Sequence, residues 1–198
     1  MTLDRSGVLW YTTSSMTDYK RKKFVAPELL EEAVDQIDEL ARQAKVRIAL
    51  IGGYAMQLYG SDRLTGDVDF IADGPLRSLP PGPPLSFGGQ QTHAPNDVPV
   101  DWILRVDELA PLYEAALDAA RALPGGRVRV ATPEYLAIMK MAARRSRDTL
   151  DLQFLIVSRA IDVVKTRAIA KRHLGLYAGH EFDRIVDETL WKASQGKL

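Results

Sequence analysis

The stretch that decides the fold of this protein lies between residues 46 and 72 and reads VRIALIGGYAMQLYGSDRLTGDVDFIA. It opens with a short apolar run rich in β-branched residues, which is typical of a buried strand, and Gly52 and Gly53 end that run. A short helix is predicted next, and a second extended run then carries Asp67 and Asp69. The stretch therefore predicts two strands joined by a turn and a short helix.

Asp67 and Asp69 lie two positions apart in the second predicted strand. Because side chains alternate along a strand, both carboxylates point to one face while Val68 points to the core. Two adjacent carboxylates repel each other, and one pKa rises unless a cation lies between them. Mg²⁺ prefers such hard oxygen ligands in enzymes of nucleotidyl transfer. The pair predicts a magnesium site, although by itself the same pattern also fits an exposed strand pair beside a turn.

A third carboxylate is expected, and Asp101 is the best candidate because it is embedded in the apolar run of residues 98–104. That run predicts another strand, which could lie beside the first acidic strand. There Asp101 would bind a second metal ion and accept the proton of an attacking hydroxyl. Asp73, Asp97 and Asp107 are weaker candidates because they lie in or near loop sequence.

The glycine pair upstream of the acids supports their interpretation as part of a nucleotide site. Glycines directly after a strand let the backbone approach phosphates closely and present N–H groups at the start of a helix. Such pairs mark ordinary turns more often than nucleotide sites, so Gly52 and Gly53 gain weight only from lying just upstream of Asp67 and Asp69.

This order of features resembles the nucleotidyltransferase superfamily, particularly the AbiEii-like toxin branch of type IV toxin-antitoxin and abortive-infection systems. The resemblance implies a small mixed β-sheet core of the polymerase-β type followed by a helical part. It also implies that the glycine turn holds a triphosphate and that the three acids bind metal. The residues that carry it are, in chain order, Gly52, Gly53, Arg63, Thr65, Asp67, Asp69 and Asp101. Arg63 and Thr65 would orient the acidic strand or contact phosphate, or simply serve the turn.

A second motif follows in residues 135–152, which are similar to the basic and acidic helical motif of that family. Lys140, Arg144, Asp148 and Asp151 fall at helical spacing and form one stripe if the helix is continuous. Lys140 would then neutralise the β- and γ-phosphates with help from Arg144, while Asp148 fixes the basic side chains. Without the upstream motif, ordinary surface ion pairs would explain the same spacing.

The wider pattern predicts an α/β (α+β) protein in three parts. Residues 1–23 form an N-terminal arm with one short strand at residues 8–12, residues 24–131 form the core, and residues 132–198 form a helical region that completes the active-site cleft. Within the core, residues 73–99 hold seven of the eleven prolines, which predicts a long loop that could shape an acceptor pocket. Roughly three helices are expected after residue 132.

Composition narrows the chemistry further. The chain has no cysteine, so thiolate metal sites, disulfides and cysteine nucleophiles are excluded. The three histidines are scattered, and no zinc helix, phosphate-binding loop of the Walker type or serine nucleophile elbow is present. No leader or membrane span is recognised, which predicts a cytoplasmic protein without a membrane partner.

We therefore expect transfer of a nucleoside monophosphate from an NTP such as ATP to a hydroxyl, with Mg²⁺ or Mn²⁺ as cofactor. An RNA acceptor such as a tRNA 3′ end and a cognate antitoxin partner follow from the family resemblance. Nine basic against three acidic residues between positions 140 and 172 are compatible with RNA, although such a run also fits a solvated helix face. The alternatives are an aminoglycoside or lincosamide nucleotidyltransferase and a non-catalytic NTP-binding regulator.

Overall fold

The computed structural model describes residues 2–3, 8–10 and 24–198, and that part of the chain forms two sheets and seven helices. The strands are β1 Thr2–Leu3, β2 Val8–Trp10, β3 Phe24–Val25, β4 Ile48–Ile51, β5 Val68–Ala72, β6 Gly89–His93, β7 Pro99–Ile103, β8 Arg121–Ala122 and β9 Arg129–Val130. The helices are α1 Pro27–Ala44, α2 Gly52–Leu58, α3 Ala110–Ala119, α4 Pro133–Ala143, α5 Ser146–Val157, α6 Val163–Leu174 and α7 Leu176–Ser194. The predicted mixed α/β class is confirmed.

The larger sheet positions the acidic strands side by side. Its order is β6-β7-β5-β4-β9-β8, with β5 antiparallel to β4 and parallel to β7. The two apolar runs predicted around Asp67–Asp69 and Asp101 are thus neighbours, and Asp69 pairs directly with Asp101 in the register. Alternate positions of the same strands, including Phe70 and Trp102, are buried in the core, where their rings lie 6.3 Å apart.

Helix α1 covers the core with one face, as its sequence pattern predicts. Leu30, Val34 and Ile37 recur at helical spacing and are buried, while the acidic residues of the helix are mostly exposed. Lys45 ends the helix in a left-handed conformation, and its N–H donates to the carbonyls of the last turn.

The smaller sheet joins the beginning of the chain to the residues before α1. Strand β2 lies between β1 and β3, antiparallel to both. Strand β2 falls within the short strand predicted at residues 8–12. Apart from β1 and β2, the predicted arm of residues 1–23 lies outside the described residues.

Three details of the chain differ from the sequence prediction. The proline-rich segment contains an edge strand, β6, which pairs with β7 because the prolines flank the strand and leave its N–H groups free to donate. The pattern of residues 109–123 predicts a helix, but α3 ends at Ala119, and Arg121 and Ala122 form β8. The region after residue 132 is helical as predicted, but it holds four helices, since the chain turns at Arg144 with a left-handed φ of 54°.

Burial within helix α5 gives a test of the packing. Leu155 is fully buried whereas Leu150, on the same helix, is 66% exposed. We expect Leu155→Ala to lower the free energy of unfolding by about 2–5 kcal/mol, because it removes transfer energy and leaves a cavity. Leu150→Ala is the matched control and should change that free energy by less than about 0.5 kcal/mol. Urea denaturation followed by circular dichroism measures both; equal losses would contradict this packing.

Candidate active site

Three carboxylates meet at one edge of the larger sheet. Asp69 in β5 lies beside Asp101 in β7, and Asp67 directly precedes β5 on the same face. One carboxylate oxygen from each residue lies within 4.8 Å of the other two. Asp73, Asp97 and Asp107 are not part of this cluster. An oxygen cluster of this size fits a hard divalent cation that completes its shell with water and substrate oxygens.

The glycine turn brings the backbone against the acids. Gly52 adopts a left-handed φ of 71°, and a Cβ built on it would lie 1.8 Å from Oδ2 of Asp69. A Cβ on Gly53 would lie 2.5 Å from Oγ1 of Thr65. The Gly53 N–H donates to Asp69, and the Thr65 hydroxyl donates to Oδ1 of Asp67 at 2.7 Å. The glycines and Thr65 therefore hold the carboxylates in place.

Burial and mutual repulsion give Asp69 an unusually high pKa. Desolvation, followed by the charges of Asp67 and Asp101, raises the pKa of Asp69 to about 7, although Lys140 and the Gly53 N–H favour its ionised form. Burial is also the main reason why the pKa of Asp101 is raised. A bound cation would remove this conflict, so the electrostatics of the cluster agree with a metal site.

A buried ion-pair network fixes the predicted lysine. Nζ of Lys140 lies 2.6 Å from Oδ2 of Asp151 and 3.3 Å from Oδ1 of Asp148, and all three side chains are buried. Arg63 reaches the same Asp151 oxygen at 3.3 Å, and Nε of Arg145 donates to Asp148 at 2.6 Å. The network ties the helical region to the turn before the acidic strand, and it holds the ammonium group beside the carboxylate cluster.

Asp148 is the centre of that network. It lies in the first turn of α5, where it accepts hydrogen bonds from the backbone N–H and the side chain of Arg145. Burial alone would raise the pKa of Asp148, but the Arg145 hydrogen bond and the charge of Lys140 outweigh burial and hold that pKa below its usual range. Asp148 therefore stays ionised and fixes two cations.

The structure separates Arg144 from the other members of the predicted stripe. The left-handed turn at Arg144 interrupts the helix, so the four residues do not share one helical face. Its side chain is 73% exposed and lies 3.2 Å from Glu181 of α7. Arg144 is not among the residues that line the cleft over the acids, whereas Lys140 is.

The cleft above the carboxylates has a volume of about 350 Å³ and lies between the sheet and helix α4. Sequence reasoning placed Gly52, Gly53, Arg63 and Lys140 here, and all four line it. It missed several others, which come from the proline-rich loop, from β7 and the residues after it, from α3, from α4 and from the start of α5. These are Leu85, Phe87, Ile103, Arg105, Tyr113, Leu136, Met139, Arg145 and Arg147. The basic run at residues 140–147 was the available signal for Arg145 and Arg147.

Comparisons with known proteins address the fold. No family model matches the sequence, and no curated protein matches it. A solved structure of the antibiotic-resistance factor ANT(2″)-Ia aligns with a TM-score of 0.53 and 13% identity, over 80% of this chain and 98% of that one. An antigenic nucleotidyltransferase-like protein from Paracoccidioides brasiliensis aligns with a TM-score of 0.45 and 19% identity, over 65% of this chain and 76% of that one.

The chain has a nucleotidyltransferase fold. The predicted fold class is therefore confirmed, and the fold agrees with the predicted enzyme class. Among the described residues, no helix is long and apolar enough to cross a membrane.

Substitution of Gly52 tests whether the glycine turn shapes the acidic cluster. A methyl group at Gly52 would occupy the position of the Asp69 carboxylate, so Gly52→Ala should displace Asp69 and lower the affinity for Mn²⁺ by at least about tenfold. Gly125→Ala is the matched control, because Gly125 has a φ of 81° but no atom within 4 Å of a Cβ. Electron paramagnetic resonance titration of Mn²⁺ measures both. Equal affinities in the two variants would show that Gly52 is not needed for the cluster.

The raised pKa of Asp69 predicts a pH dependence of stability without metal. Because this pKa rises from 3.8 to about 7 on folding, the folded state binds more protons in between, and stability should fall as pH rises through that interval. The slope due to this group is at most about 1.4 kcal/mol per pH unit. The free energy of unfolding, measured by urea denaturation at several pH values between 5 and 8 with a metal chelator present, gives this slope. Asp69→Asn should remove the slope, and an unchanged slope in that variant would assign it to other groups.

Proposed function

We propose that this protein is a metal-dependent nucleotidyltransferase that moves a nucleoside monophosphate from an NTP to a hydroxyl acceptor, releasing pyrophosphate. The observation that carries the proposal is that carboxylate oxygens of Asp67, Asp69 and Asp101 lie within 4.8 Å of one another in a cleft lined by basic side chains. In the reaction the acceptor oxygen bonds to the α-phosphorus while the bond from that phosphorus to the bridging oxygen of the β-phosphate breaks.

The three acids would hold Mg²⁺ or Mn²⁺. A divalent cation bound there supplies Lewis-acid chemistry, which neutralises the α-phosphate and lowers the pKa of an adjacent hydroxyl. Asp101 has the raised pKa that suits acceptance of the proton from the attacking hydroxyl, and it lies at the edge of the cluster beside β6. Asp67 is held ready by Thr65, so little reorganisation is required when a cation binds.

The basic side chains that line the cleft would bind the triphosphate. Lys140 and Arg145 are both fixed by Asp148, so their positions are set before the substrate arrives. Arg63 is likewise fixed by Asp151 and lines the cleft beside the glycine turn. The role of Gly52 and Gly53 as backbone partners of phosphate rests on the family resemblance. Arg144 would contribute at most a long-range field, because it pairs with Glu181 outside the cleft.

An RNA acceptor fits the surface next to the cleft. A groove of about 730 Å³ shares Arg63, Asp67 and Arg147 with the cleft and is walled by Leu150 and Phe154. Arginine beside an aromatic ring suits a single-stranded RNA end, because the phosphate binds the cation and the base stacks on the ring. This acceptor would make the protein a toxin-like enzyme with a cognate antitoxin, as the family resemblance implies, and transfer should weaken steeply with salt.

An antibiotic acceptor is the second candidate, and the structural likeness to ANT(2″)-Ia favours it. The charges of the cleft favour RNA instead. The acids lining the cleft are Asp67, Asp69 and Asp101 within the described residues, and all three are needed for metal. No acid in that lining is left for the amino groups of an aminoglycoside, whereas Arg147, which the cleft shares with the neighbouring groove, remains for an anion of the acceptor.

Transfer of label tests the proposal directly. Each α-phosphate-labelled NTP is incubated with the protein and Mg²⁺ in the presence of total RNA, of protein, or of aminoglycoside and lincosamide drugs. We expect labelled RNA from the native chain. Asp69→Asn should reduce the rate by at least about 100-fold, because loss of a metal ligand removes several kcal/mol of transition-state stabilisation.

Asp97→Asn is the matched control, since it also replaces one aspartate by asparagine but lies outside the acid cluster. Asparagine tolerates the positive φ of 66° at this position, so the control should fold and retain transfer. Labelled drug without labelled RNA would select the antibiotic acceptor. NTP binding without label on any acceptor would contradict catalysis and favour a non-catalytic regulator.

A further inference from the structure

The corner at which α6 meets α7 carries positive charge and no negative charge. Gly175 alone separates the two helices, so the last turn of α6 directly precedes the first turn of α7. Residues 163–180 contain no aspartate or glutamate, and their lysines and arginines are Lys165, Arg167, Lys171 and Arg172. The helix dipole favours cations at the end of α6, but it favours acids in the first turn of α7, where none is present. The charge of this corner therefore exceeds what the stability of the two helices requires.

Two of the four charges have no counterion. Lys165 and Arg167 are paired with acids of α4 and α7. Lys171 and Arg172 are exposed, and neither forms an ion pair with any acid in the part of the chain that the structure describes. A Cβ built on Gly179 would lie 2.4 Å from Cγ and 2.6 Å from Cε of Lys171, so the stem of that lysine lies across α7. The lysine therefore places its charge beside the beginning of α7.

An exposed aromatic ring lies at the same corner. Tyr177 is 88% exposed in the first turn of α7, and its neighbour Leu176 is 63% exposed. Single-stranded nucleic acid binds to such a combination, because successive bases stack on aromatic rings while basic side chains hold the phosphates. The charge of the corner thus favours a polyanion, and the ring favours one that has planar bases.

The corner adjoins the rim of the cleft. Glu181 of α7 lies 3.2 Å from Arg144, and the residues on either side of Arg144, which are Ala143 and Arg145, line the cleft. Tyr177 precedes Glu181 by four residues, so the two side chains lie on one face of α7 and are one turn, about 5.4 Å, apart. A strand whose 3′ end lies in the cleft can therefore continue over the α4–α5 turn onto this corner.

We propose that Lys171, Arg172 and Tyr177 form a second RNA contact outside the cleft, which holds the body of a long acceptor while its 3′ end lies in the cleft. The inference rests on the proposed function and adds to it a surface for the acceptor. An anionic membrane would attract the same cations, but Leu176 and Tyr177 supply little apolar area for insertion. RNA is thus the polyanion that the corner fits best.

Equilibrium binding of fluorescently labelled polyuridylate, without NTP and at several salt concentrations, tests the surface. Lys171→Gln combined with Arg172→Gln should lower the slope of log K against log salt by about 1.4, since each phosphate contact on a single strand contributes about 0.7. Tyr177→Ala should weaken binding by between about 5-fold and about 150-fold, the range of one stacked base. Tyr177→Phe keeps the ring and should bind like the native chain.

Matched controls remove the same groups elsewhere on the surface. Arg121→Gln combined with Arg127→Gln removes two exposed arginines at and beside β8, and neither residue lines the cleft or the groove. Trp191→Ala removes a 56% exposed ring from the other end of α7. Both controls should keep the native slope and affinity. Because all these side chains are exposed, every variant should melt close to the native temperature, which thermal denaturation checks.

Transfer kinetics separate this surface from the active site. The dinucleotide UpU, about 7 Å long when stacked, is too short to reach from the cleft to the corner, so transfer to it should be the same in every variant. The variants that lose RNA binding should instead raise KM for polyuridylate and leave its kcat unchanged.

The inference is overturned if the native chain does not bind polyuridylate, if the charge variant keeps the native slope, if Tyr177→Ala binds RNA like the native chain, or if the controls lose as much affinity. Binding to phosphatidylserine vesicles that is lost in the same variants, with RNA binding unchanged, would make the corner a membrane contact instead. A failure of the proposed function looks different, because the native chain would then bind polyuridylate through the corner but transfer no label to polyuridylate or UpU.

Discussion

The repulsion among three carboxylates at one sheet edge is the constraint on which the rest of the site depends. Asp69 and Asp101 are directly paired across parallel strands β5 and β7. Their proximity is therefore set by the hydrogen-bond register of the sheet and does not depend on the rotamers of the two side chains. Burial, followed by the charges of Asp67 and Asp101, raises the pKa of Asp69 to about 7, so the folded chain holds an electrostatically unfavourable cluster. Folded proteins retain such clusters where a ligand relieves them, and a hard divalent cation bound between these acids would do so.

A second layer of charge surrounds the cluster and is complementary to it. Asp148 and Asp151 are buried, and they hold Lys140, Arg145 and Arg63. Buried ion pairs contribute little net stability, because desolvation offsets their attraction, but loss of one partner costs about 3–5 kcal/mol. The network is thus better explained by the positions that it gives to the basic side chains than by a gain in the stability of the fold. It fixes these side chains beside the place where a triphosphate would lie.

The same cleft is lined by charged side chains and by the aromatic rings of Phe87 and Tyr113. Strand β7 and the residues after it contribute Asp101, Ile103 and Arg105 to that lining. The proline-rich loop supplies Phe87, and its backbone pairs with the residues after β7, so the loop is part of the sheet edge. A segment that appears structureless in sequence therefore forms one wall of the site.

The sequence by itself determined the local features: the strand and short helix that meet at Gly52, the alternation that places Asp67 and Asp69 on one face, and the helical character after residue 132. These follow from periodicity, glycine position and charge, which are properties of neighbouring residues. The tertiary structure alone decided the rest. The left-handed turn at Arg144 redirected that side chain to α7, and the packing of the loop against α3 placed the guanidinium of Arg105 over the rings of Phe87 and Tyr113. Such contacts depend on how strands and helices pack across long sequence separations, and no local pattern encodes that packing.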